Sequence, residues 1–551
     1  MVRTTLKRVR SEFQSLADDL ADGRQLVWLG SGISRDQVPD VVKLIEKVLE
    51  FLQERAMKGP DEAEHRQCLI DLLDQYLPGE SAIFLDDPKA WKPSKTETLR
   101  NSYSDILGRR VRGKSQDYIA FEGAQIHRTY ADPSILPGVD HKLVAILIAE
   151  EVVKEIASGN WDPLIERAVD EITGSRDLVS VYVNIEDTRV RRADSTRIIK
   201  FHGCAELAVE DPDTYRSKMI YANAQIGSFG LLGSAHIQDT LMTQAREKKS
   251  LFLGLSVQDS NLLATLSRAL EHSPWRWESQ SPAFIFAEES LKDSQRDVLT
   301  NAYVEYADQE FSIEQRSVTG AYPAKLLSAL IIEVLLRKYY ALADIFSALP
   351  NSSKAAIKHG LKQLADLLVA AIANDPNKLV QILVGPYSNL LREFQGLSPK
   401  DTYHALYPGP RDSIRLNAQV EALSTDLFAT SLGLLGWGET VHLWKIRLNN
   451  SARPGTLQLE QSGAKPVMIS IVKGTREADK VLASPVWEQE NDRMALLYLD
   501  EQPKAQTRGP ASRLGSGRGP RTRAEVSWDM LTDSASDVEE IASRLQIGIG
   551  L

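Results

Sequence analysis

Residues 25–40 read QLVWLGSGISRDQVPD, and the rest of the chain is organised around them. The apolar run Leu26 to Leu29 breaks into Gly30-Ser31-Gly32 and Ser34 before a helical pattern resumes at Val41. A buried strand hands over to a phosphate-cradling turn in this way. Backbone amides must reach anionic oxygens without a Cβ between them, and such turns often call for positive φ. The spacing is not the full G-x-G-x-x-G, and a plain strand-to-helix turn reads the same, so the ligand stays open at this point.

Outward from this stretch, composition sets bounds. A chain of 551 residues suits two or three domains, and 43% hydrophobic with 25% charged residues is the make-up of a soluble globular protein. Lys and Arg total 65 against 75 Asp and Glu, a balance of −10 that repels polyanions unless a basic patch is local. Cys68 and Cys204 alone exclude a disulfide framework and a four-cysteine zinc site, so no metal is expected and a reducing cytoplasm fits. No run approaches about 18 apolar residues, so no membrane span is expected. The opening MVRTTLKRVRSEFQSLADDL interleaves charge with apolar residues at helical spacing and reads as one amphipathic helix, not as a signal peptide.

After the glycine turn, Val41, Leu44, Ile45, Val48, Leu49 and Leu52 give the stripe of a helix docked on a sheet. Residues from about 55 to 140 depart from strand and helix alternation and read as a helical insert. Within it, Gly108 to Ser115 formally match a P-loop, GRRVRGKS. The preceding residues look helical where the motif needs a strand, so a chance match in a basic turn is the better reading. His141 to Ala157 is strongly apolar and mostly helical by spacing, with last residues that fit strand or helix; Pro163 to Val169 follows as a helix. Val179 to Val183, Ile198 to Phe201, Ser250 to Gly254 and Ala283 to Phe286 read as buried strands, and Thr240 to Lys248 as a helix between them. The alternation predicts an α/β fold, a Rossmann-like doubly wound parallel sheet, over residues 1–320. Long helical patterns at Pro323 to Leu342, Ala355 to Ile372 and Val380 to Glu393 define a helical module over 321–436. Strand patterns at His442 to Arg447, Val467 to Val472, Ala495 to Leu499 and Glu525 to Trp528 place a small α/β or β-rich domain over 437–551. Its stretch 503–523 is rich in Gly, Pro, Ser and Arg without an acid, the composition of a disordered basic loop or, alternatively, of a nucleic-acid contact.

Four polar clusters follow the apolar runs: Gly30 to Ser34, Asn160 with Asp162, His202 with Gly203, and Gly254 to Asn261. Each has a dull explanation alone, since Asn and Asp before a helix also serve as caps and a lone His is often structural. At the carboxyl ends of parallel strands, however, they converge on one crevice.

The order of these motifs resembles the sirtuin superfamily. G-S-G-I-S (Gly30, Ser31, Gly32, Ile33, Ser34) and V-P-D ending at Asp40 resemble its G-A-G-I-S and I-P-D elements. N-W-D resembles its N-x-D, K-F-H-G-C its catalytic H-G, and L-G-L-S-V-Q-D-S-N its late G-x-S element. The phrase from Asn160 to Ala168 is closer to bacterial sirtuin-like effectors than to deacylases. The resemblance covers about residues 20–310. The zinc-binding cysteines of the deacylases are missing, and Cys204 stands alone between the catalytic His and the late glycine; this argues for cleavage of NAD itself over lysine deacylation. Ser158-Gly159 also stands where the family usually has threonine or similar residues.

The resemblance implies NAD+ as substrate and a set of roles. Asp162 would fix the carboxamide, Asn160 order ribose or water, and His202 act as base. Gly30, Ser31, Gly32 and Ser34 would hold the pyrophosphate, with Gly254, Ser256, Asp259 and Asn261 on the adenosine side. It further implies a regulated NAD+ glycohydrolase of anti-phage (abortive infection) defence. Self-assembly, or a partner such as a short Argonaute or a HerA-type ATPase, would control it. A non-catalytic NAD or ADP-ribose sensor is the alternative from a different class.

Overall fold

Gln25–Leu29 form β1, whose five residues are all buried at the middle of a six-stranded sheet. The computed structural model describes residues 2–59, 61–187, 192, 194–222, 225, 235–257, 260–271, 274–345, 349, 351–417, 424–447, 455–483, 493–501 and 523–551. The other strands of this sheet are β2 (Glu155–Ser158), β3 (Val179–Tyr182), β4 (Thr196–Lys200), β5 (Lys249–Leu253) and β6 (Phe284–Phe286). All pair in parallel, in the order β3-β4-β2-β1-β5-β6, with Val27 opposite both Ile156 and Leu251. The chain builds β2, β3 and β4 on one side of β1 and then returns to place β5 and β6 on the other. The carboxyl end of β1 is thus the point where the winding reverses, the place where open α/β sheets receive ligands. This is the Rossmann-like fold expected from the alternation of elements.

Both faces of the sheet are covered, which is why its strands read as continuous apolar runs. Val27, Leu29, Ile156, Ile198, Leu251 and Ile285 meet an aliphatic layer from the helices Val2–Glu12, Gln14–Ala21, Val139–Ala149, Leu164–Thr173 and Pro323–Ile345. Leu26, Trp28, Ile199, Phe252, Phe284 and Phe286 face the helices Ala235–Glu247, Ser260–Glu271 and Asp293–Ala302. Trp28 stacks on Phe252 with ring centroids 5.6 Å apart, and Phe252 on Phe286 at 4.6 Å. The single opening helix expected from the sequence is two. Phe13 interrupts it at φ −122° and ψ 34°, with its ring buried.

Between β1 and Val139–Ala149 lies a helical body running from Val41–Met57 to Ile126–Ala131. Its separate core includes Leu49, Leu69, Phe84 and Phe121, and it borrows Ala205, Met219 and Tyr221 from the chain after β4. The P-loop match falls inside it. The helix Tyr103–Leu107 precedes the match, Gly113 turns at φ +80°, and Lys114 pairs with Asp61 at 2.6 Å.

Pro323–Ile345 is apolar on nearly all sides because it lies between the sheet layer and the helices Asn351–Ala371 and Thr425–Thr440. Those two helices cross where Gly360 meets Gly433 and Gly436, backbone against backbone. Lys338 of the long helix forms a buried ion pair with Glu150, the residue that closes Val139–Ala149, and also donates to its carbonyl at 3.1 Å. Tyr403 donates to the same carboxylate at 2.5 Å. The helix expected over Val380 to Glu393 is three segments: Pro376–Ile382, a π-turn Leu383–Tyr387 and Ser388–Phe394. Pro386, which has no amide hydrogen to give, sits in the π-turn.

The last sheet comprises β7 (Lys445–Arg447), β8 (Leu457–Glu460), β9 (Val467–Val472), β10 (Arg493–Tyr498) and β11 (Arg523–Ser527), in the order β11-β10-β9-β8-β7. β9, β10 and β11 are parallel, while β7 and β8 are antiparallel neighbours. The strand expected from His442 begins only at Lys445, since His442 turns at φ 62° and Leu443 N bonds Gly438 O at 2.9 Å. The strand expected through Trp528 stops at Ser527, whose hydroxyl caps the helix Trp528–Thr532. One apolar core runs from the aliphatic face of the first sheet through the helical layer to Leu459, Ile469 and Leu497 of the second. Among the described residues no helix is long and apolar enough to cross a membrane.

Candidate active site

The turns after β1 and β5 interlock. Gly30 N donates to Leu253 O at 3.1 Å, and Gly32 N to Gly254 O at 2.9 Å. A Cβ at Gly30 would stand 2.6 Å from Gly254 O, and one at Gly32 would stand 2.7 Å from Gly254 Cα. Gly254 itself turns at φ +62°. The glycines are therefore demanded by backbone meeting backbone, and the Gly32 amide is spent on the neighbouring turn. Ser31 is the exposed tip, whereas Ile33 packs into the core. Beyond Gly254, the carbonyls of Leu255 and Ser256 accept from Gln295 at 3.1 Å and Ser294 at 2.6 Å. Val257 follows, buried and at φ +55°, a conformation in which a β-branched residue is strained. Asp259 lies outside the described residues. Asn261 falls in the first turn of Ser260–Glu271, and its side chain also lies outside them.

The turn after β2 is fastened to β1 by Gly159 N donating to Leu29 O at 3.1 Å. This sets Asn160 under the first glycine turn, where its Nδ2 donates to Gly30 O at 3.1 Å and to Ser34 Oγ at 3.2 Å. Ser34 was expected at the pyrophosphate; its side chain is fully buried beneath the turn. There it also bonds the Nε2 of His141 at 3.0 Å. Asp162, 5% exposed, accepts from Leu164 N at 3.2 Å. Burial pushes its pKa up from the usual carboxylate value, against the pull of the Lys200 ammonium. Lys200, equally buried, donates to Asp162 O at 2.6 Å and pairs with Glu166 at 2.7 Å, so the floor of the site is charged but paired.

His202 comes from the turn after β4. It is half-buried with its ring against Phe201, centroids 4.7 Å apart. A Cβ on Gly159 would lie 3.6 Å from its Nδ1, so the imidazole stands beside the residue preceding Asn160. Gly203, at φ +89°, lets the chain at Lys218 and Met219 pass where a side chain would clash. Ala205 N donates to Trp161 O at 2.9 Å, and Ile220 N to His202 O at 3.0 Å. Trp161 Nε1 donates to Ile220 O at 3.1 Å, and its ring meets Tyr130 edge-on at 5.2 Å. The Tyr130 hydroxyl reaches Pro39 O at 3.0 Å. The helical insert thus steadies the β1, β2 and β4 turns together.

The structure brings Gly30, Ser34, Asn160, Asp162 and His202 into one neighbourhood, with Gly254 locked against Gly30 and Gly32. Asp40 behaves differently. Its Oδ1 caps Val41–Met57 by accepting from Val42 N and Lys43 N, and its Oδ2 pairs with Arg100 at 2.9 Å, on the wall of a polar cleft of about 500 Å³. Among the described residues no three His, Cys, Asp or Glu side chains gather as metal ligands.

Residues 154–307 match the family model of the SIR2-like domain. No curated protein matched the chain. The SIR2-like segment carries β2 to β6 with Asn160, Asp162 and His202, and it ties the chain to NAD-related activity. β1, the first glycine turn and His141 precede the matched segment, yet they complete its site. Sequence reading did not single out His141, Lys200, Glu166 or Tyr130 for the site. Its place at the head of the apolar segment was the one hint at His141.

Proposed function

We propose that the protein is an NAD+ hydrolase that breaks the bond between nicotinamide and ribose, giving nicotinamide and ADP-ribose. The observation that carries this reading is the convergence of Asn160, Ser34 and Asp162 on the first glycine turn, with His202 alongside. Nicotinamide leaves neutral, so the reaction gathers positive charge on the ribose and asks little at the departing ring. What it needs is a held substrate and an ordered nucleophile. Both hydrogens of Asn160 Nδ2 are committed, which leaves its Oδ1 as an acceptor for a ribose hydroxyl or the attacking water. Asp162 accepts from Leu164 N through Oδ1, and its other oxygen suits the amide hydrogens of a carboxamide. His202 stands half-buried beside them, where the reaction needs a base. Gly30, Ser31 and Gly254 would meet the pyrophosphate and adenosine side.

Unrestrained loss of NAD would be lethal to a cell, so an intact enzyme of this kind needs control. The apolar core shared with the C-terminal half gives control a physical path. We infer a role in abortive-infection defence from the likeness to bacterial sirtuin-like effectors, with gating by self-assembly or by a partner such as a short Argonaute or a HerA-type ATPase. Purified protein incubated with NAD and resolved by chromatography tests the reaction. Nicotinamide with ADP-ribose supports a hydrolase, whereas NAD retained intact supports a sensor. Asn160→Ala and His202→Ala should fold as the wild type does and release nicotinamide at least about 100-fold more slowly. Undiminished rates in both overturn the site.

A further inference from the structure

Two backbone groups whose hydrogen-bonding sense cannot change frame the polar chain under the first glycine turn. Gly138 N–H can only donate, and it points at Nδ1 of His141 at 3.1 Å, so the ring hydrogen sits on Nε2. Gly30 C=O can only accept, so Asn160 must turn its Nδ2 toward it. The His141 Nε2–H and the second Asn160 hydrogen then both arrive at Ser34 Oγ, at 3.0 and 3.2 Å, and fill its two lone pairs. The one hydrogen Ser34 owns therefore points away from both of these donors. The ring hydrogen of His141 and both amide hydrogens of Asn160 are thereby assigned, and the Asn160 Oδ1 is the acceptor left over.

We propose that His141 is a positioning residue for the NAD-cleaving site, one that fixes the Ser34 hydroxyl and, through it, the Asn160 amide whose Oδ1 is left to accept from the substrate or water. This rests on the reading of function given above. His141 touches no reacting atom. It lies wholly buried at the start of Val139–Ala149, and burial drives its pKa down to about 4, which keeps the ring a neutral donor at ordinary pH. Take its Nε2–H away and Ser34 regains a free lone pair and its rotation. Asn160, whose second hydrogen ends on Ser34 Oγ, then loses a fixed partner and with it the alignment of its Oδ1. A packing role alone predicts that any side chain of similar bulk would serve.

The test compares full-length wild type with His141→Phe, His141→Gln, Ser34→Ala and the double variant Ser34→Ala with His141→Phe. Thermal unfolding is followed alongside nicotinamide release and calorimetric NAD binding. Phe keeps the bulk without a donor; Gln places an N–H near the position of Nε2. The expected result is a roughly 100-fold fall in kcat for His141→Phe with KM for NAD within about threefold. His141→Gln should recover at least tenfold and share the wild-type pH profile from about pH 5 to 9, because His141 does not titrate there. The double variant should be no slower than Ser34→Ala, since both changes break one chain. Wild-type kcat in His141→Phe overturns the proposal, as do losses that multiply in the double variant or a Gln variant no better than Phe. A wild type that binds NAD and releases no nicotinamide overturns the hydrolase reading instead. In that case tenfold weaker NAD binding in His141→Phe, restored by Gln, keeps the positioning role, and equal binding removes it.

Discussion

Two stretches of this chain advertise a phosphate-binding turn, and they end in opposite surroundings. Gly108 to Ser115 fit a named motif letter by letter, whereas Gly30 to Ser34 fit one only loosely. The looser match follows the central strand of a parallel sheet and locks against the turn of the adjacent strand. The stricter one follows a short helix in the insert, and its lysine is taken by Asp61. Spacing is cheap in a long chain. The strand that delivers a turn to the edge of a sheet is not, because it needs a buried run, neighbours on both sides and glycine where two backbones touch.

Substitutions can break this contrast, and the largest effect belongs to Gly254→Ala. It must adopt φ +62° and bring its Cβ to 2.7 Å from Ile33 N, so NAD cleavage should fall by more than about 100-fold with a clear loss of thermal stability. Normal activity in that variant would mean the two turns are not the seat of the site. Gly113→Ala has the positive φ without the crowding, nothing lying within 4 Å of its added carbon. It should cost about 1 kcal/mol by denaturant unfolding and leave cleavage untouched. Smallest of all is Lys114→Ala, which removes an exposed partner of Asp61. Both nicotinamide release and the melting midpoint should match wild type, and any fall in NAD affinity would restore the P-loop reading.

The same contrast explains what could be read from the sequence. Strands buried on both faces, such as Leu26 to Leu29 and Ser250 to Leu253, declare themselves as apolar runs, so the parallel sheet and its ligand-facing ends were legible. β8 was not, because Leu457 and Leu459 alternate over only four residues. Nor could periodicity reveal the turn in the helical layer at Leu383–Tyr387, where Pro386 alters the winding while the apolar stripe continues. At the site, residue types at strand ends picked out Asn160, Asp162 and His202, whose neighbourhood the fold then supplied. The direction of the Ser34 side chain was not legible, since a serine in a glycine turn gives no sign whether it faces up to a ligand or down to a buried histidine. Asp259, the side chain of Asn261 and nearly all of the basic stretch 503–523 fall outside the described residues.

The helix Val139–Ala149 holds His141 at one end, and Glu150, at the other, is gripped by Lys338 and Tyr403. A rod of eleven residues does not shorten under load, so whatever displaces the long helix Pro323–Ile345 arrives at Ser34 as a change of alignment. A shift of the long helix would therefore be felt at the crevice through this one connecting rod.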